Sequence, residues 1–460
     1  MPRDLELDSE ARLRLAEAAI RYSENYLDEL PGTPASYPPI TPDLVARLAV
    51  PPTEEGHELP HLLELLSRAL ESGIDTSSGK FLSYIPSGGI YSAAIGRLLG
   101  AVTNRYTGGT HGAPGLIAIE AGVVRWMAGL FGLPDTSSGI LLSGGSVANL
   151  TATVAARSRL GDEFGHGVVY TSERAHHSVT KAARIAGIHP DRIRVIPADA
   201  SLRLDTALLE TAIAADAAAG LAPMMITVSA GTTDTGTVDP LAECARIAEA
   251  AGAWLHVDAA YGGFFVLTER GRERLAGIEL ADSITVDAHK SLFMPFGTGG
   301  LLVRDESQLV DSLEGRGSYM QDVPEHGREV PNYFAMGPEL TRPPRGLEVW
   351  LALHLHGIEP FRDELDRMLD LTAWTAKALE DLAGIEVIAD PELSIVAFRS
   401  VAGDDVSRRI ARHMNDTGEV HVSSTTVDDR FVVRLAFLSQ RTTDAVARRA
   451  VELIREAIKA

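Results

Sequence analysis

Apolar and polar positions follow two periodicities along this chain. Between residues 81 and 353, short runs rich in β-branched residues alternate with stretches in which apolar residues recur every three to four positions. The first pattern is typical of buried strands and the second of helices, so the alternation predicts an α/β domain with a mainly parallel sheet. The predicted strands are 139–142, 167–171, 193–197, 224–229, 254–258, 283–287 and 300–303.

The N-terminal region has a different pattern. Residues 9–30 place apolar side chains on one helical stripe, and two shorter helices are predicted at 43–49 and 59–73. This region has too little apolar surface to fold alone. We therefore expect it to pack on another element, a second subunit being one candidate.

The C-terminal region predicts a separate small unit. After a helix at 346–357, residues 360–460 combine helical periodicity with short alternating runs, which is typical of an α+β domain. Its predicted strands are 385–388, 395–399, 420–424 and 430–435. The predicted domains are an N-terminal helical segment (1–85), a large α/β domain (86–357) and a small α+β domain (358–460).

The composition is that of an ordinary globular protein, with 45% apolar and 23% charged residues among 460. Asp and Glu number 63 against 42 Lys and Arg, and the formal charge of −21 disfavours nucleic acid or an anionic membrane surface as a partner. Cys244 is the only cysteine, so an intrachain disulfide is excluded and we expect no metal site. Without a signal peptide at the start or an 18-residue apolar run, the expected class is a cytosolic enzyme.

Two of the predicted strands lead into residues that carry chemistry. Asp258 closes one strand, and Lys290 follows the next strand, 32 residues later. Ligands of parallel sheets bind at the carboxyl ends of the strands, where these two side chains are expected to lie. The pair suits pyridoxal phosphate, since a lysine amine forms a Schiff base with its aldehyde and a carboxylate keeps its pyridine nitrogen protonated. The alternative is a lysine that reaches solvent and an aspartate that caps the next turn.

A glycine turn follows the strand at 139–142. Gly145 and Ser146 stand just before a predicted helix, where free backbone N–H groups bind phosphate with help from the helix dipole. The serine adds a hydroxyl donor. An ordinary strand-to-helix turn is the alternative, but beside the Asp and Lys pair a phosphate site is favoured.

Two more strand ends carry polar side chains. His176 and His177 follow the strand at 167–171, and one of them is a candidate for stacking on a cofactor ring; surface histidines at the start of a helix are the alternative. Thr232 and Thr233 lie in a hydroxyl-rich loop after the strand at 224–229. Either hydroxyl is a candidate to bind the cofactor or a substrate carboxylate, and a turn that satisfies its own backbone is the alternative.

Four motifs occur in a recognisable order: Ser-x-x-Ala-His-x-Ser-Val (172–179), Gly-Thr-Thr (231–233), His-Val-Asp-Ala-Ala-Tyr-Gly-Gly (256–263) and Asp-x-His-Lys (287–290). They closely resemble the group II pyridoxal-phosphate-dependent decarboxylases, which include aromatic L-amino-acid, glutamate and cysteine-sulfinate decarboxylases. The resemblance covers nearly the whole chain. It implies an aspartate-aminotransferase-like α/β fold (fold type I), pyridoxal 5′-phosphate as cofactor and a homodimer in which the N-terminal helices are swapped.

The resemblance also implies roles for individual residues. Lys290 would be the Schiff-base lysine, Asp258 the pyridinium partner and His176 the residue stacked on the ring. Tyr319, 29 residues after Lys290, falls where the family keeps a mobile-loop tyrosine that protonates the substrate carbon after carbon dioxide leaves. The implied cofactor contacts are Gly145, Ser146, His176, Thr232, Asp258, Ala260, His289 and Lys290.

The expected reaction is decarboxylation of an L-amino acid to the amine and carbon dioxide. The loop at 106–114 is smaller and more polar than in aromatic decarboxylases, and His111 either faces the substrate or is an ordinary loop histidine. Since no arginine cluster marks a pocket for an acidic side chain, an aromatic or other neutral amino acid is favoured. The alternatives are oxidative deamination to an aldehyde, transamination, β-elimination, or a catalytically silent scaffold subunit.

Overall fold

The structure is a computed structural model that describes residues 5–85, 87–313, 315, 326–327 and 329–459. Its helices are α1 (Ser9–Glu29), α2 (Pro42–Leu48), α3 (Leu59–Leu70), α4 (Tyr91–Thr103), α5 (Pro114–Leu130), α6 (Gly145–Ser158), α7 (Ser178–Ile185), α8 (Thr206–Ala218), α9 (Leu241–Ala251), α10 (Glu269–Arg274), α11 (Ala288–Ser291), α12 (Glu306–Leu313), α13 (Arg345–His356), α14 (Glu359–Glu380), α15 (Asp404–Thr417) and α16 (Asp444–Lys459). Its strands are β1 (Phe81–Leu82), β2 (Ser138–Leu142), β3 (Gly167–Ser172), β4 (Ile193–Ile196), β5 (Ala222–Ser229), β6 (Trp254–Asp258), β7 (Ser283–Val286), β8 (Gly299–Val303), β9 (Ile385–Val387), β10 (Ile395–Ser400), β11 (His421–Val427) and β12 (Arg430–Ala436).

The larger sheet has the strand order β2-β8-β7-β6-β5-β3-β4. Neighbours from β4 to β7 run parallel, whereas β8 is antiparallel to both β2 and β7. All residues of β6 and β7 are buried, which explains why these strands are continuous apolar and hydroxyl runs rather than alternating ones. The predicted α/β class with a mainly parallel sheet is confirmed.

The strand predicted at 283–287 is β7, which ends at Val286. Lys290 follows it, as predicted, and lies in α11, a single helical turn. The backbone N–H of Lys290 donates to the carbonyl of Asp287 at 2.9 Å, so the chain turns as soon as its ladder with β6 and β8 ends. The lysine is thereby directed across the carboxyl edge of the sheet.

The smaller sheet has the order β1-β11-β12-β10-β9 and is antiparallel except for β1, which runs parallel to β11. Helices α14, α15 and α16 enclose its core. Strand β1 was not predicted, and it adds the end of the N-terminal segment to the C-terminal sheet. The domain boundaries after residues 85 and 357 stay a prediction.

A buried ion pair holds the strand that precedes the glycine turn. Arg342 donates to both carboxylate oxygens of Glu120 at 2.7 and 2.9 Å, and to the carbonyl of Leu141 in β2 at 2.5 Å. The Leu141 N–H donates in turn to Glu120 at 3.2 Å. Both charges are therefore compensated, and α5 is tied to the end of β2.

No helix in the described part of the chain combines the length and the apolar character needed to cross a bilayer.

Candidate active site

The carboxyl ends of β2, β5, β6 and β7 surround a cavity of about 280 Å³. Because a parallel sheet collects these ends at one edge, this is the place where a ligand is expected. The cavity is lined by Ser143, Gly144, Gly145, Ser146, Val147, His176, Ser178, Ser229, Gly231, Thr232, Thr233, Asp258, Ala260, Tyr261, Asp287, His289 and Lys290. Every residue that the sequence suggested as a cofactor contact is among them.

Asp258 is the last residue of β6 and is 8% exposed. Its Oδ2 accepts a hydrogen bond from the amide of Asn149 at 2.9 Å, and its Oδ1 accepts one from the backbone N–H of Ala260 at 3.1 Å. Both donors compensate the burial of this polar group. A carboxylate at the floor of the cavity is suited to pair with a protonated ring nitrogen.

Lys290 reaches the cavity beside a second buried acid. Its Nζ lies 3.1 Å from Oδ2 of Asp287, which is 2% exposed, and the same oxygen lies 3.7 Å from Nε2 of His289. His289 Nδ1 donates to the carbonyl of Thr298 at 2.9 Å, so the ring is held with Nε2 toward the acid. Asp287 belongs to the Asp-x-His-Lys motif, but nothing in the sequence indicated that it pairs with the lysine.

The start of α6 forms a cradle that only small residues allow. Gly144 has φ of +151°, and a Cβ there would lie 3.1 Å from Cε1 of His289. A Cβ at Gly145 would lie 3.2 Å from both Ala260 Cβ and Asp287 Oδ2. No side chain among the described residues caps this helix, so its first N–H groups remain available to an anion. A phosphate group fits this cradle.

Of the two adjacent histidines, His176 lines the cavity and His177 is exposed. The backbone N–H of Ser178 donates to His176 Nδ1 at 3.3 Å, and the Ser178 hydroxyl lies 2.8 Å from the same nitrogen. Nδ1 is therefore the acceptor. Burial lowers the pKa of His176, and Asp258 acts in the opposite direction. A neutral, flat ring at this wall is suited to stack on a planar ligand.

The hydroxyl-rich loop partly satisfies itself. Thr232 and Thr233 both line the cavity. The Thr232 hydroxyl accepts from the backbone N–H of Thr237 at 3.2 Å and lies 3.0 Å from the hydroxyl of Thr235. The alternative of a turn that bonds to its own backbone therefore has structural support, alongside a position near the ligand.

A buried polar chain behind Asp258 was not indicated by the sequence. Trp254 Nε1 donates to Ser283 Oγ at 2.7 Å, Ser283 Oγ lies 2.7 Å from His256 Nδ1, and His256 Nε2 lies 3.0 Å from Asn149 Oδ1. Burial lowers the pKa of His256 to about 4, so the ring is neutral at ordinary pH. The chain ends at the amide that donates to Asp258.

Two predicted site residues are not brought to this cavity by the described part of the chain. His111 is exposed, and its ring lies 5.5 Å from that of Tyr106. Its loop is anchored elsewhere, since the Thr110 N–H donates to Asn332 Oδ1 at 2.9 Å. Tyr319 lies outside the described residues.

Comparison with known proteins decides what kind of site this is. A family model described as the pyridoxal-dependent decarboxylase conserved domain matches residues 43–401. The chain belongs to the pyridoxal-dependent decarboxylase family. An aromatic-L-amino-acid decarboxylase of Bacillus atrophaeus is similar, with 30% identity over 96% of this chain and 94% of its own. An L-2,4-diaminobutyrate decarboxylase of Rhizobium meliloti (strain 1021) shares 32% identity over 86% of this chain and 81% of its own.

Solved structures give the same result for this decarboxylase. A crystal structure of Oryza sativa TDC with PLP and tryptamine superposes with a TM-score of 0.93 at 27% identity, over 99% of both chains. The aspartate-aminotransferase-like fold (fold type I) is confirmed. The enzyme is a pyridoxal-phosphate-dependent amino-acid decarboxylase. The cradle at α6, the acid at the end of β6 and the lysine of α11 all line the cavity described above.

Replacing His256 should flatten the acid side of the stability profile of this decarboxylase. In the folded enzyme the pKa of His256 is lowered to about 4, so the ring stays neutral until the pH falls to that value. In the unfolded chain the ring binds a proton near its usual pKa of ~6.5. The unfolded chain therefore binds more protons between these values, and this residue lowers the free energy of unfolding by ~3 kcal/mol as the pH falls from ~6.5 to ~4. Urea unfolding of wild type and His256→Gln across this range measures the effect.

The matched control is His189→Gln, because that ring is 71% exposed. We expect its pH profile to follow that of the wild type. Parallel profiles for wild type and His256→Gln would contradict the prediction, whatever the absolute stability of the variant.

Proposed function

We propose that Lys290 forms the Schiff base with pyridoxal phosphate, that Asp258 pairs with the ring nitrogen, and that Gly145 and Ser146 bind the phosphate. The observation that carries this proposal is the convergence of these groups on one cavity from the end of β6, from α11 after β7 and from the start of α6. When bound, the cofactor supplies an electron sink for the bond to the substrate carboxylate. The protein binds and orients it, and Asp287 holds the amine of Lys290 at 3.1 Å.

The remaining contacts follow from the shape of the cavity. We propose that His176 stacks on one face of the cofactor ring and that Ala260, whose methyl lies close to the cradle, packs on the other face. His289 is proposed to contact the phosphate through Nε2, because its Nδ1 is occupied by the Thr298 carbonyl. Thr232 is proposed to contact the cofactor, with its hydroxyl partly engaged in its own loop.

For the chemical outcome, we propose that decarboxylation is followed by protonation of the substrate carbon by Tyr319. A phenol with a usual pKa of ~10 retains its proton at neutral pH and is able to donate it. This assignment rests on the position of Tyr319 in the sequence relative to Lys290. The product is then the amine. If protonation fails, the electron-rich carbon is open to oxidation by dioxygen, which is reduced to hydrogen peroxide. The aldehyde and ammonia are then the alternative products.

For the substrate, we propose an aromatic or other neutral L-amino acid. Among the described residues that line the cavity none is an arginine, which disfavours a substrate with an acidic side chain. The similar Bacillus enzyme acts on aromatic amino acids by its name, and tryptamine is bound in the rice structure. The similar Rhizobium enzyme is named for a cationic amino acid, so diaminobutyrate is the competing candidate.

The substrate proposal is tested by a panel of the proteinogenic L-amino acids with L-DOPA, 5-hydroxytryptophan and 2,4-diaminobutyrate. We expect amine and carbon dioxide in equal amounts from an aromatic or other neutral member. Preference for glutamate, aspartate, cysteine sulfinate or diaminobutyrate would show that the substrate assignment is wrong.

Lys290→Ala should abolish turnover and the visible absorption of the bound cofactor. Lys181→Ala, which changes an exposed lysine of α7, should change neither.

Tyr319→Phe should uncouple loss of carbon dioxide from formation of the amine. The ring is kept and the acidic proton is removed, so the carbon left after decarboxylation is no longer protonated from this side. We expect carbon dioxide release to continue while the product shifts from amine toward aldehyde and dioxygen is consumed. Product analysis with an oxygen electrode measures both. The same variant assayed without dioxygen is the control, and unchanged amine yield in air would show that Tyr319 is an ordinary loop residue.

We also propose a homodimer in which each site borrows residues from its partner. Helix α1 buries only Ala11, and α3 buries no residue within the chain. Helix α4 leaves Val102 75% exposed, and Tyr84 is 60% exposed at a strained φ of +49°. An unpartnered apolar surface of this kind supports an isologous contact with a second copy.

Mixing of inactive variants tests this exchange. If Tyr84 serves the neighbouring site, a heterodimer of Lys290→Ala and Tyr84→Ala contains one intact site, and activity should rise to about one quarter of the wild-type level on random pairing. The control is a mixture of Lys290→Ala with His176→Ala. Each of these substitutions disables the site of the chain that carries it, so both sites of the heterodimer are inactive. An active monomer in sedimentation, or no recovery in the first mixture, would contradict the proposal.

We infer a cytosolic location. The only cysteine, Cys244, is buried in α9, and burial raises the pKa of its thiol. A chain that needs no disulfide suits a reducing compartment.

A further inference from the structure

The amide of Asn149 makes hydrogen bonds with side chains on every side. Its Nδ2 donates to Asp258 Oδ2 at 2.9 Å and to Ser178 Oγ at 3.0 Å. Its Oδ1 accepts from Thr285 Oγ1 at 2.7 Å and lies 3.0 Å from His256 Nε2. A primary amide has two donors and two acceptor sites, so all of its capacity is used.

A series of hydrogen bonds runs from Asp258 through Asn149, His256 and Ser283 to Trp254, and its two end groups determine the direction of every bond in it. The ionised carboxylate of Asp258 only accepts, so the amide must present Nδ2 to it. Oδ1 then faces His256, which must carry its proton on Nε2. His256 Nδ1 accepts from the hydroxyl of Ser283, whose oxygen accepts from Trp254 Nε1, a group that only donates. A single arrangement of protons satisfies the chain.

The second hydrogen of the same amide reaches the other wall of the cavity. It is donated to Ser178 Oγ, and the hydroxyl of Ser178 lies 2.8 Å from Nδ1 of His176. Asn149 thus connects the acid beneath the cavity with the histidine at its side. It does not itself line the cavity.

We propose that Asn149 is a positioning residue that sets the orientation of Asp258 and, through Ser178, the orientation of His176. The proposal rests on the function proposed above, in which Asp258 pairs with the cofactor ring nitrogen. Without the amide donor, the carboxylate keeps one N–H partner, that of Ala260, and is free to rotate.

Another asparagine shows what a purely structural amide does in this protein. Asn415 in α15 accepts from the backbone N–H of Val422 at 2.7 Å and donates to its carbonyl at 3.2 Å, and so caps the start of β11. Asn149 bonds through its side chain to four other side chains, of which Asp258 and Ser178 line the cavity. The two residues therefore form a matched pair for substitution.

Asn149→Asp is the informative change, because it keeps the size of the side chain and replaces the donor with an oxygen. Two carboxylates then face each other across 2.9 Å and share a proton. At about pH 8.5 we expect the dissociation constant for pyridoxal phosphate to rise about ten-fold or more relative to wild type. At about pH 6 the shared proton lets the introduced carboxyl group donate again, so the ratio should shrink toward one. Equilibrium dialysis of apoenzyme with pyridoxal phosphate measures both values.

The controls separate the possible outcomes. Asn415→Asp should bind the cofactor as the wild type does at both pH values. Wild-type affinity in Asn149→Asp, or a loss equal at both pH values, would overturn the proposal, since lost packing has no such pH dependence. If that variant does not fold, Thr285→Val decides: it removes one donor to the amide, a few-fold weaker affinity supports the proposal, and unchanged affinity overturns it. Unchanged affinity in Asp258→Asn would instead contradict the proposed function.

Discussion

Two carboxylates lie buried beneath one cavity, and ionised groups at that depth need partners from the protein because little water reaches them. Asp258 has two N–H donors, and Asp287 has the amine of Lys290 at 3.1 Å. The uncapped start of α6 adds free backbone N–H donors at the same cavity. The small residues around the cavity follow from the same requirement, since compensating groups must approach within hydrogen-bond distance.

The sheet brings these groups together from distant parts of the chain. Strand β8 runs antiparallel between β2 and β7, which sets the turn after β2 beside the turn after β7. Gly144 and His289 consequently approach so closely that a Cβ on the glycine would lie 3.1 Å from the ring. The glycine turn at the start of α6 and the lysine of α11 are thus brought together by the strand order.

Periodicity predicted the strands of the larger sheet well, because buried parallel strands are short β-branched runs between turn residues. Strand β1 escaped prediction, since two residues show no periodicity and its partner β11 lies more than 300 residues away. The candidate residues could be predicted because each of them directly follows, or ends, one of these recognisable strands. Asn149 could not, because its role depends on which face of α6 covers the sheet, and that is decided by packing.

The wall of the cavity also depends on the C-terminal unit. Arg434 of β12 is buried, which lowers the pKa of its guanidinium, and it donates to the carbonyls of Asp234 at 2.6 Å and Tyr84 at 3.2 Å, and to that of Thr233. One side chain thereby ties the hydroxyl-rich loop of the cavity to the strained, exposed Tyr84. Asp258 at the floor of the cavity is held by Asn149 and the large sheet. The hydroxyl-rich loop at the wall is held by Arg434 of the small sheet. Arg434 thus links the small sheet to the loop that carries Thr232 and Thr233 on the cavity wall.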